Sequence, residues 1–577
     1  MSTSLTANQN SVDNTTPIRL SALNGVLQGK TDMIDGAIAT AMLPNAVGNG
    51  SIIADAHMMR AFGAKFDGVT DDGPAFNAII NAATYGGSNG DSPFLYAGAA
   101  PNGLPTIVFE LPAQIILIAT SILSGSINVA LRGVGAQNTI LRMAAGGQGV
   151  WKHGSQTTPS NGYVEIENVM MEDANGSGSG AYALQFYFTG GLVPTIRIDR
   201  LRVLHFAQGI YMLNPPRDIN VRDLTVYGPD GTMQANPGVV VESTQSGPEV
   251  FTTTWMNCNV FNYSYGWRFI GGGMIEGHRF NSCTCYNGWG MVQAYVHGDG
   301  IVGLTGYQAV IWDFYCCDWQ GYGYALDMRN VRGVRVRGGF YTFNDRTAAS
   351  GSTIAPPWGA RTSAATNAMF DFSNAGDVLF EGVQMDVSGS GAYGDTVLAH
   401  FDNGCSHVRV KDNAIFANSV LAGGFELGDP DASSVPNNTM KVLSNEWLNW
   451  TGGDKVMDHA SKQIDLPWIE DNYYGTQTPA GMFDIQQQVA VTMQQATVSS
   501  TDNTEIAQAY IKFPTRRYGA NLFNGGVPTV VATVQQALTD SQAPIFLGQS
   551  TQAGFYINGP ASMVGVQATV NYNAMGW

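Results

Sequence analysis

From about residue 160 the chain repeats a short pattern, apolar-x-apolar-x-(Asn, Asp or Gly)-x-x-apolar, and this constrains the fold more than any other feature. The clearest copy is Ile219-Asn220-Val221-Arg222-Asp223-Leu224-Thr225-Val226. Val164-Glu165-Ile166 leads into Asn168-Val169-Met170 in the same way, and Ile196-Arg197-Ile198 into Asp199-Arg200-Leu201-Arg202-Val203. Later copies begin at Val334, Val378, Val408 and Met440. Ile166, Ile198 and Val221 are spaced by 32 and 23 residues, and Phe380, Val410 and Val442 by 30 and 32. Apolar residues at every second position, with Arg, Lys or Glu between them, describe a strand with one buried side. The polar residue or glycine that follows suits a tight corner. One strand pair per repeat, with loops of varying length at the other corners, predicts a solenoid from about 51 to 474. An α/β barrel would need helical patterns of ten or more residues between strands, and none is present.

The irregular stretch between Val221 and Val336 still keeps the register. Trp255-Met256-Asn257-Cys258, Phe280-Asn281-Ser282-Cys283 and Phe314-Tyr315-Cys316-Cys317 align, at spacings of 25 and 34. Cys258, Cys283 and Cys317 are therefore expected as an inward stack. The chain has 6 cysteines, too few for a disulfide framework at this length, and no Cys-x-x-Cys pair with matching histidines. Buried free thiols are expected, with no metal site and no cofactor.

Ahead of the repeat, Phe62–Val69 reads as a short strand punctuated by glycines. It is followed by a helix in which Phe76, Ile79, Ile80 and Ala83 form one apolar stripe. Pro74 falls in its first turn and Asp71-Asp72 are expected as its caps. A Gly-, Ser- and Pro-rich loop, Tyr85–Pro105, precedes a strand at Thr106–Glu110. The stretch Ala61–Ala83 resembles the G-A-x-x-D-G-x-x-D-D-x-x-A signature that opens pectate-lyase-superfamily right-handed parallel β-helices. That resemblance implies that the helix plugs the N-terminal end of the solenoid. Leu131-Arg132-Gly133-Val134-Gly135 with Thr139-Ile140-Leu141 is similar to the first regular turns of the same family.

Near 470 the repeat stops. Tyr510–Pro514, Pro528–Thr533, Ala553–Tyr556 and Val570–Trp577 read as short alternating strands of a compact β-sandwich. Their order (F-P, P-x-V, T-x-x-G-F, Y-x-A-x-G) resembles the small lectin-like domain at the tip of many phage tail fibres and tailspikes. The two resemblances together imply a homotrimeric tailspike. Its parts would be a virion-attachment segment at 1–50, a β-helix at 51–474 and a lectin-like β-sandwich at 475–577. They further imply a virion location after synthesis in the host cytoplasm, contacts with other tail or baseplate proteins through residues 1–50, and a host cell-surface polysaccharide as ligand. Two alternatives stay open: a non-catalytic receptor-binding or structural fibre, and a bacterial polysaccharide lyase or glycosidase.

Charge and hydropathy fit this expectation. Lys and Arg number 28 against 45 Asp and Glu, a net −17 that argues against a nucleic-acid partner. The first ten residues carry no basic region followed by an apolar one, so no secretory signal is expected. The run Ile115–Ala119 is too short to insert in a membrane.

Chemistry is expected on an outer groove, where aromatics hold sugar faces and carboxylates act on the glycosidic bond. Aromatic residues crowd between 255 and 341, namely Trp255, Trp267, Trp289, Trp312, Trp319, Tyr307, Tyr315, Tyr322, Tyr324, Phe340 and Tyr341. In the register above, Phe314, Cys317 and Trp319 point inward, so Asp313, Tyr315 and Asp318 point outward on one face. Asp313 and Asp318 form the leading carboxylate pair for hydrolysis, with Glu276 from the preceding rung. Trp289, His297, Tyr315, Tyr322, Tyr324 and Arg329 are the expected substrate-binding residues. An eliminase would instead draw on His278, Arg279 and His297, with Tyr295 or Tyr307 as acid. The isolated His153, His205, His400, His407 and His459 are expected to be structural.

Overall fold

The computed structural model describes residues 47–48, 51–84, 106–125, 127–174, 181–189, 195–216, 218–229, 233–244, 252–271, 277–296 and 309–343. Beyond these it describes 367–387, 396–401, 405–417, 423–427, 440–448 and short strands between 457 and 575. The proposed attachment segment up to residue 46, the loop Tyr85–Pro105, Glu276, His297 and Tyr307 lie outside the described residues. The chain divides into two compact units, residues 1–344 with 348–360, and residues 345–347 with 361–577.

The first unit is a right-handed parallel β-helix whose rungs each cross three faces. The first face carries strands such as Asp218–Arg222, Thr252–Met256, His278–Asn281, Ala309–Tyr315 and Val331–Arg337, all paired in parallel. The second face carries Thr225–Tyr227, Asn259–Phe261, Thr284–Gly288 and Asp318–Gly321. The third carries Val239–Ser243, Tyr265–Gly271, Gly290–Val296 and Leu326–Arg329.

One residue makes the corner between the first and second faces. Asn168, Arg200, Asp223, Asn257, Ser282 and Cys316 occupy it at φ of 58, 52, 52, 52, 52 and 49°, and Gly338 does so at 62°. These are the polar or glycine positions of the repeat. Their left-handed backbone explains why asparagine, aspartate and glycine recur there, and why Arg200, Ser282 and Cys316 are exceptions that cost strain. The residues one and three places after each corner point inward. Leu224 and Val226, Cys258 and Val260, Cys283 and Cys285, and Cys317 and Trp319 are all buried. Each such side chain contributes on the order of 1.5–3 kcal/mol by leaving water.

Large rings fill the middle of this interior. Trp255, Trp267, Trp312, Trp319 and Tyr341 are fully buried, and Phe280 stacks on Phe314 at 4.9 Å with its plane tilted by only 12°. Five of the eleven aromatics expected at a sugar-binding groove are therefore core. A solenoid interior needs wide, flat side chains that stack from rung to rung, and this selects the same residue types as a glycan platform does.

The N-terminal elements differ in part from expectation. The helix Gly73–Thr84 forms and buries Phe76, Ile79, Ile80 and Ala83, with Phe76 against Phe109 at 4.9 Å. A second short helix, Ala56–Ala61, precedes it, capped by Asp55 through a bond from the Met58 amide of 2.8 Å. Phe62–Val69 is not a strand but a series of turns, with Phe66 at φ 55° and Gly63 at 103°. Asp72 does not cap the helix with its side chain. It is buried and accepts the Lys65 amide at 2.6 Å and the Phe66 amide, which holds the turns in place. Asp71 accepts the Gly73 amide at 3.1 Å and those of Ala119 and Thr120 at 2.9 and 3.0 Å, tying the helix start to the next segment.

The second unit contains a parallel stack of the same kind, with corners at Gly382, Asp412 and Ser444. It also contains two antiparallel sheets. Gln487–Thr492 and Thr529–Gln535 flank Gln567–Met575 in one. Gln494–Thr497, Glu505–Lys512, Gly554–Pro560 and Phe546–Thr551 form the other, in that order.

Candidate carbohydrate-binding groove

The residues two and four places after each corner point outward on the second face, so parallel pairing stacks them into two columns. The nearer column reads Arg202, Thr225, Asn259, Thr284 and Asp318. The farther reads Leu204, Tyr227, Phe261, Tyr286 and Gln320. Tyr227, Phe261 and Tyr286 follow one another at centroid distances of 5.7 and 6.4 Å, and Tyr286 is 43% exposed. His205 continues the row beyond Tyr227 at 6.2 Å. An outward aromatic row beside a column of hydroxyl, amide and carboxyl groups offers sugar rings both a stacking surface and hydrogen-bond partners.

A groove of about 380 Å³ runs beside this row. Asn168, Arg200, Asp223 and Asn257 line it from the corner, and Arg202, Thr225 and Asn259 from the strands. Asp223 accepts from the Asn257 amide nitrogen at 3.2 Å. Arg200 is held by Glu167 at 2.7 Å and by Asp199 at 3.2 Å.

Asp318 is the acid of this face. Burial raises its pKa above the ordinary aspartate value, only partly offset by the Gln320 amide at 3.5 Å. Its Oδ1 is buried with no hydrogen-bond partner among the described residues. A carboxyl in that setting holds its proton to higher pH, the property a general acid needs.

The expected site residues are spread over three faces rather than gathered on one. Asp313 and Tyr315 lie on the first face, and the corner at Cys316 turns Asp318 onto the second. The expectation that all three share a face is corrected by this left-handed residue, which redirects the strand. Asp313 is bound by Arg337 through both oxygens, at 2.9 Å to Oδ1 and 2.6 Å to Oδ2, and pairs laterally with Arg279 and Arg335. Tyr315 is 48% exposed, beneath the Arg337 guanidinium at 5.7 Å. Tyr322 sits at the far edge of the second face, its hydroxyl donating to Asn287 Oδ1 at 2.7 Å. Trp289 and Tyr324 occupy the segments that turn toward the third face. A Cβ on Gly323 would meet the Trp289 ring at 2.5 Å, so only glycine leaves room for that indole.

Arg329 belongs to the third face. Its Nη2 donates to the Tyr295 hydroxyl at 3.0 Å with the guanidinium 4.0 Å from that ring. Tyr295 donates to Asp327, which also accepts the Gln293 amide at 3.2 Å. His278, expected as an eliminase base, points inward instead. It is fully buried against Thr253, Phe269 and Trp312, and burial pushes its pKa down to about 3. His153 is likewise interior, beside Ser124 at 2.8 Å, and His400 pairs with Asp371 at 2.9 Å.

Sequence reasoning missed Tyr227, Phe261 and Tyr286. Each lies four residues after a corner, so they share the spacings of 34 and 25 that align Asp223, Asn257 and Ser282. Carrying the cysteine register three residues forward would have found the row.

The fold and this outer groove define a parallel β-helix protein with a polar, aromatic-lined exterior. No protein-family model matches the chain, and no curated protein matches it. Among solved structures it is similar to the A-module of Azotobacter vinelandii mannuronan C-5 epimerase AlgE6, at 12% identity over 73% of this chain and 99% of that one, TM-score 0.45. It is also similar to the pre-mature bacteriophage phi29 gene product 12, at 12% identity, TM-score 0.45, over 74% of this chain and 57% of that one. The tailspike protein gp49 of Pseudomonas phage LKA1 is similar at 14% identity over 89% of this chain and 99% of that one, TM-score 0.30. Identities of this size bear on the fold alone.

Proposed function

We propose that the protein is a phage tailspike that holds a host surface polysaccharide along the second face of its β-helix and cleaves it there by hydrolysis. The outward row Tyr227, Phe261 and Tyr286 beside Asp318 carries this reading. Polysaccharide-processing and tailspike proteins among the structures of similar fold agree with it. Asp318 is the proton donor to the leaving oxygen in this scheme. Asp313, fixed by Arg337, is a positioned anion on the neighbouring face rather than the second member of one pair. The active protein is a homotrimer, with residues 1–50 attaching it to the tail and residues 475–577 forming its distal domain.

Incubation with polysaccharide from a susceptible host tests this. Wild type should shorten the glycan and produce new reducing ends without ultraviolet absorbance. Asp318→Asn should abolish shortening while leaving binding within a few-fold, and Tyr286→Ala should weaken binding about tenfold. The wild-type rate should fall as the pH rises through the upshifted Asp318 value, because the acid form is the active one. Binding without any shortening would reduce the protein to a receptor-binding fibre. A second reading, elimination, is favoured by the Tyr295 hydroxyl held between Asp327 and Arg329. Absorbing, unsaturated ends that vanish in Tyr295→Phe would establish it in place of hydrolysis.

A further inference from the structure

We infer that the groove beside the aromatic row is a subsite for a carboxylate-bearing sugar, and that Arg202 reads the carboxylate. This rests on the proposal that the second face binds polysaccharide and names the class of sugar it selects.

The argument starts from where the positive charge on this surface is already spent. Arg132, Arg142, Arg222 and Arg337 each face a carboxylate, at 3.3, 2.9, 2.9 and 2.6 Å. In the groove itself Arg200 is neutralised by Glu167 and Asp199. The Asp223 carboxylate is engaged by Asn257 at 3.2 Å and lies 3.7 Å from Arg222. Arg202 differs from all of these. It is half-buried in the groove wall and has no hydrogen-bond or ion-pair partner among the described residues. Its lateral neighbours in the sheet are Met170 on one side and Thr225 on the other, and neither can neutralise it.

A planar guanidinium with unused donors, set in a cavity of about 380 Å³, matches a carboxylate through two parallel hydrogen bonds. The surroundings suit the rest of a sugar. Thr225 and Asn259 present a hydroxyl and an amide in the same column, for ring hydroxyls. Two residues farther along the same strands, Tyr227 and Phe261 present their rings to the apolar face of a pyranose. A neutral glycan would bury Arg202 without a counter-charge, which costs affinity. The net charge of −17 gives an acidic polymer no long-range attraction, so the selectivity is local to this groove.

The test measures binding of the full-length protein to polygalacturonate, hyaluronan and polysialic acid, each also in carboxyl-reduced form. Wild type, Arg202→Gln, Arg202→Lys and Tyr286→Ala are compared, with thermal melts to confirm that each variant is folded. We expect wild type to bind at least one acidic polymer. Carboxyl reduction and Arg202→Gln should each weaken that binding tenfold or more, while Arg202→Lys keeps charge without the fork and falls between. Tyr286→Ala should weaken acidic and reduced forms alike. Failure to bind any of the three acidic polymers, equal binding of the reduced forms, or an unchanged Arg202→Gln would each overturn the inference. Loss in Tyr286→Ala with no change in Arg202→Gln leaves the glycan face standing and removes only the carboxylate subsite. No loss in either variant removes both.

Discussion

At the scale of single residues, three side chains with the same chemistry meet different fates because of where the corner turns them. Asp313 is ion-paired, Asp318 is half-buried with a raised pKa, and Asp199 is almost fully buried between two arginines. Hydrogen bonding from Arg222 holds the Asp199 carboxyl below the usual range. A depressed folded pKa gives stability that is present above the ordinary carboxylate value and lost as the pH falls through the folded one. Asp199→Asn should therefore cost about 1–3 kcal/mol at neutral pH, measured by urea unfolding. The difference from wild type should shrink as the pH drops below about 4. The cysteines separate in the same way. Five are buried, as expected of the thiols in general, with Cys285 pushed up to about 12, while Cys316 is exposed because it is itself a corner residue. Alkylation of the native protein followed by mass spectrometry should label Cys316 and leave the other five unmodified until the chain unfolds.

At the scale of elements, the first residue after each corner is the point at which successive rungs lock together. In the first unit this position holds Cys258, Cys283 and Cys317, whose thiols reach the carbonyls of Val221, Trp255 and Phe280 at 3.7, 3.4 and 3.5 Å. In the second unit it holds Asn413 and Asn445. Asn413 accepts the Val383 amide at 2.8 Å and donates to Asn445 Oδ1 at 2.8 Å and to the Phe380 carbonyl at 3.3 Å. Both devices satisfy backbone groups that the turn removes from the sheet ladder. Asn413→Ala would leave buried donors and acceptors unpaired, and we expect a loss of about 2–3 kcal/mol by chemical denaturation. Asn413→Asp, which keeps the acceptor, should recover part of it at neutral pH. The strands and their register were legible from the alternation around Ile219–Val226, since period two leaves one choice of inward face. The strand expected at Phe62–Val69 was not, because Asp72 gathers that backbone into turns through contacts six and seven residues away in sequence.

At the scale of the whole molecule, each unit repeats the same rung logic, and the second adds two antiparallel sheets. A homotrimer remains the proposal for the assembled protein, since a solenoid gains from covering its long sides. Sedimentation equilibrium should return three times the chain mass, and a species at one chain mass across all concentrations would refute the trimer.

The sequence by itself determined that strands would stack in parallel and, in regular copies such as Ile219–Val226, which residues would face inward and where the rung would bend. Those features follow from local periodicity and from the few residue types that tolerate a left-handed corner. It did not determine which aromatics would be exposed, because a Trp or Tyr stacks as well inside a solenoid as on it. Nor did it determine which acids share a face. Only the tertiary structure decided that Trp255, Trp312 and Trp319 fill the core, that Tyr227, Phe261 and Tyr286 line the outside, and that one corner at Cys316 separates Asp313 from Asp318. The physical reason is that the side a residue faces depends on counting from a corner, and corners are set by backbone conformation that neighbouring rungs hold in place.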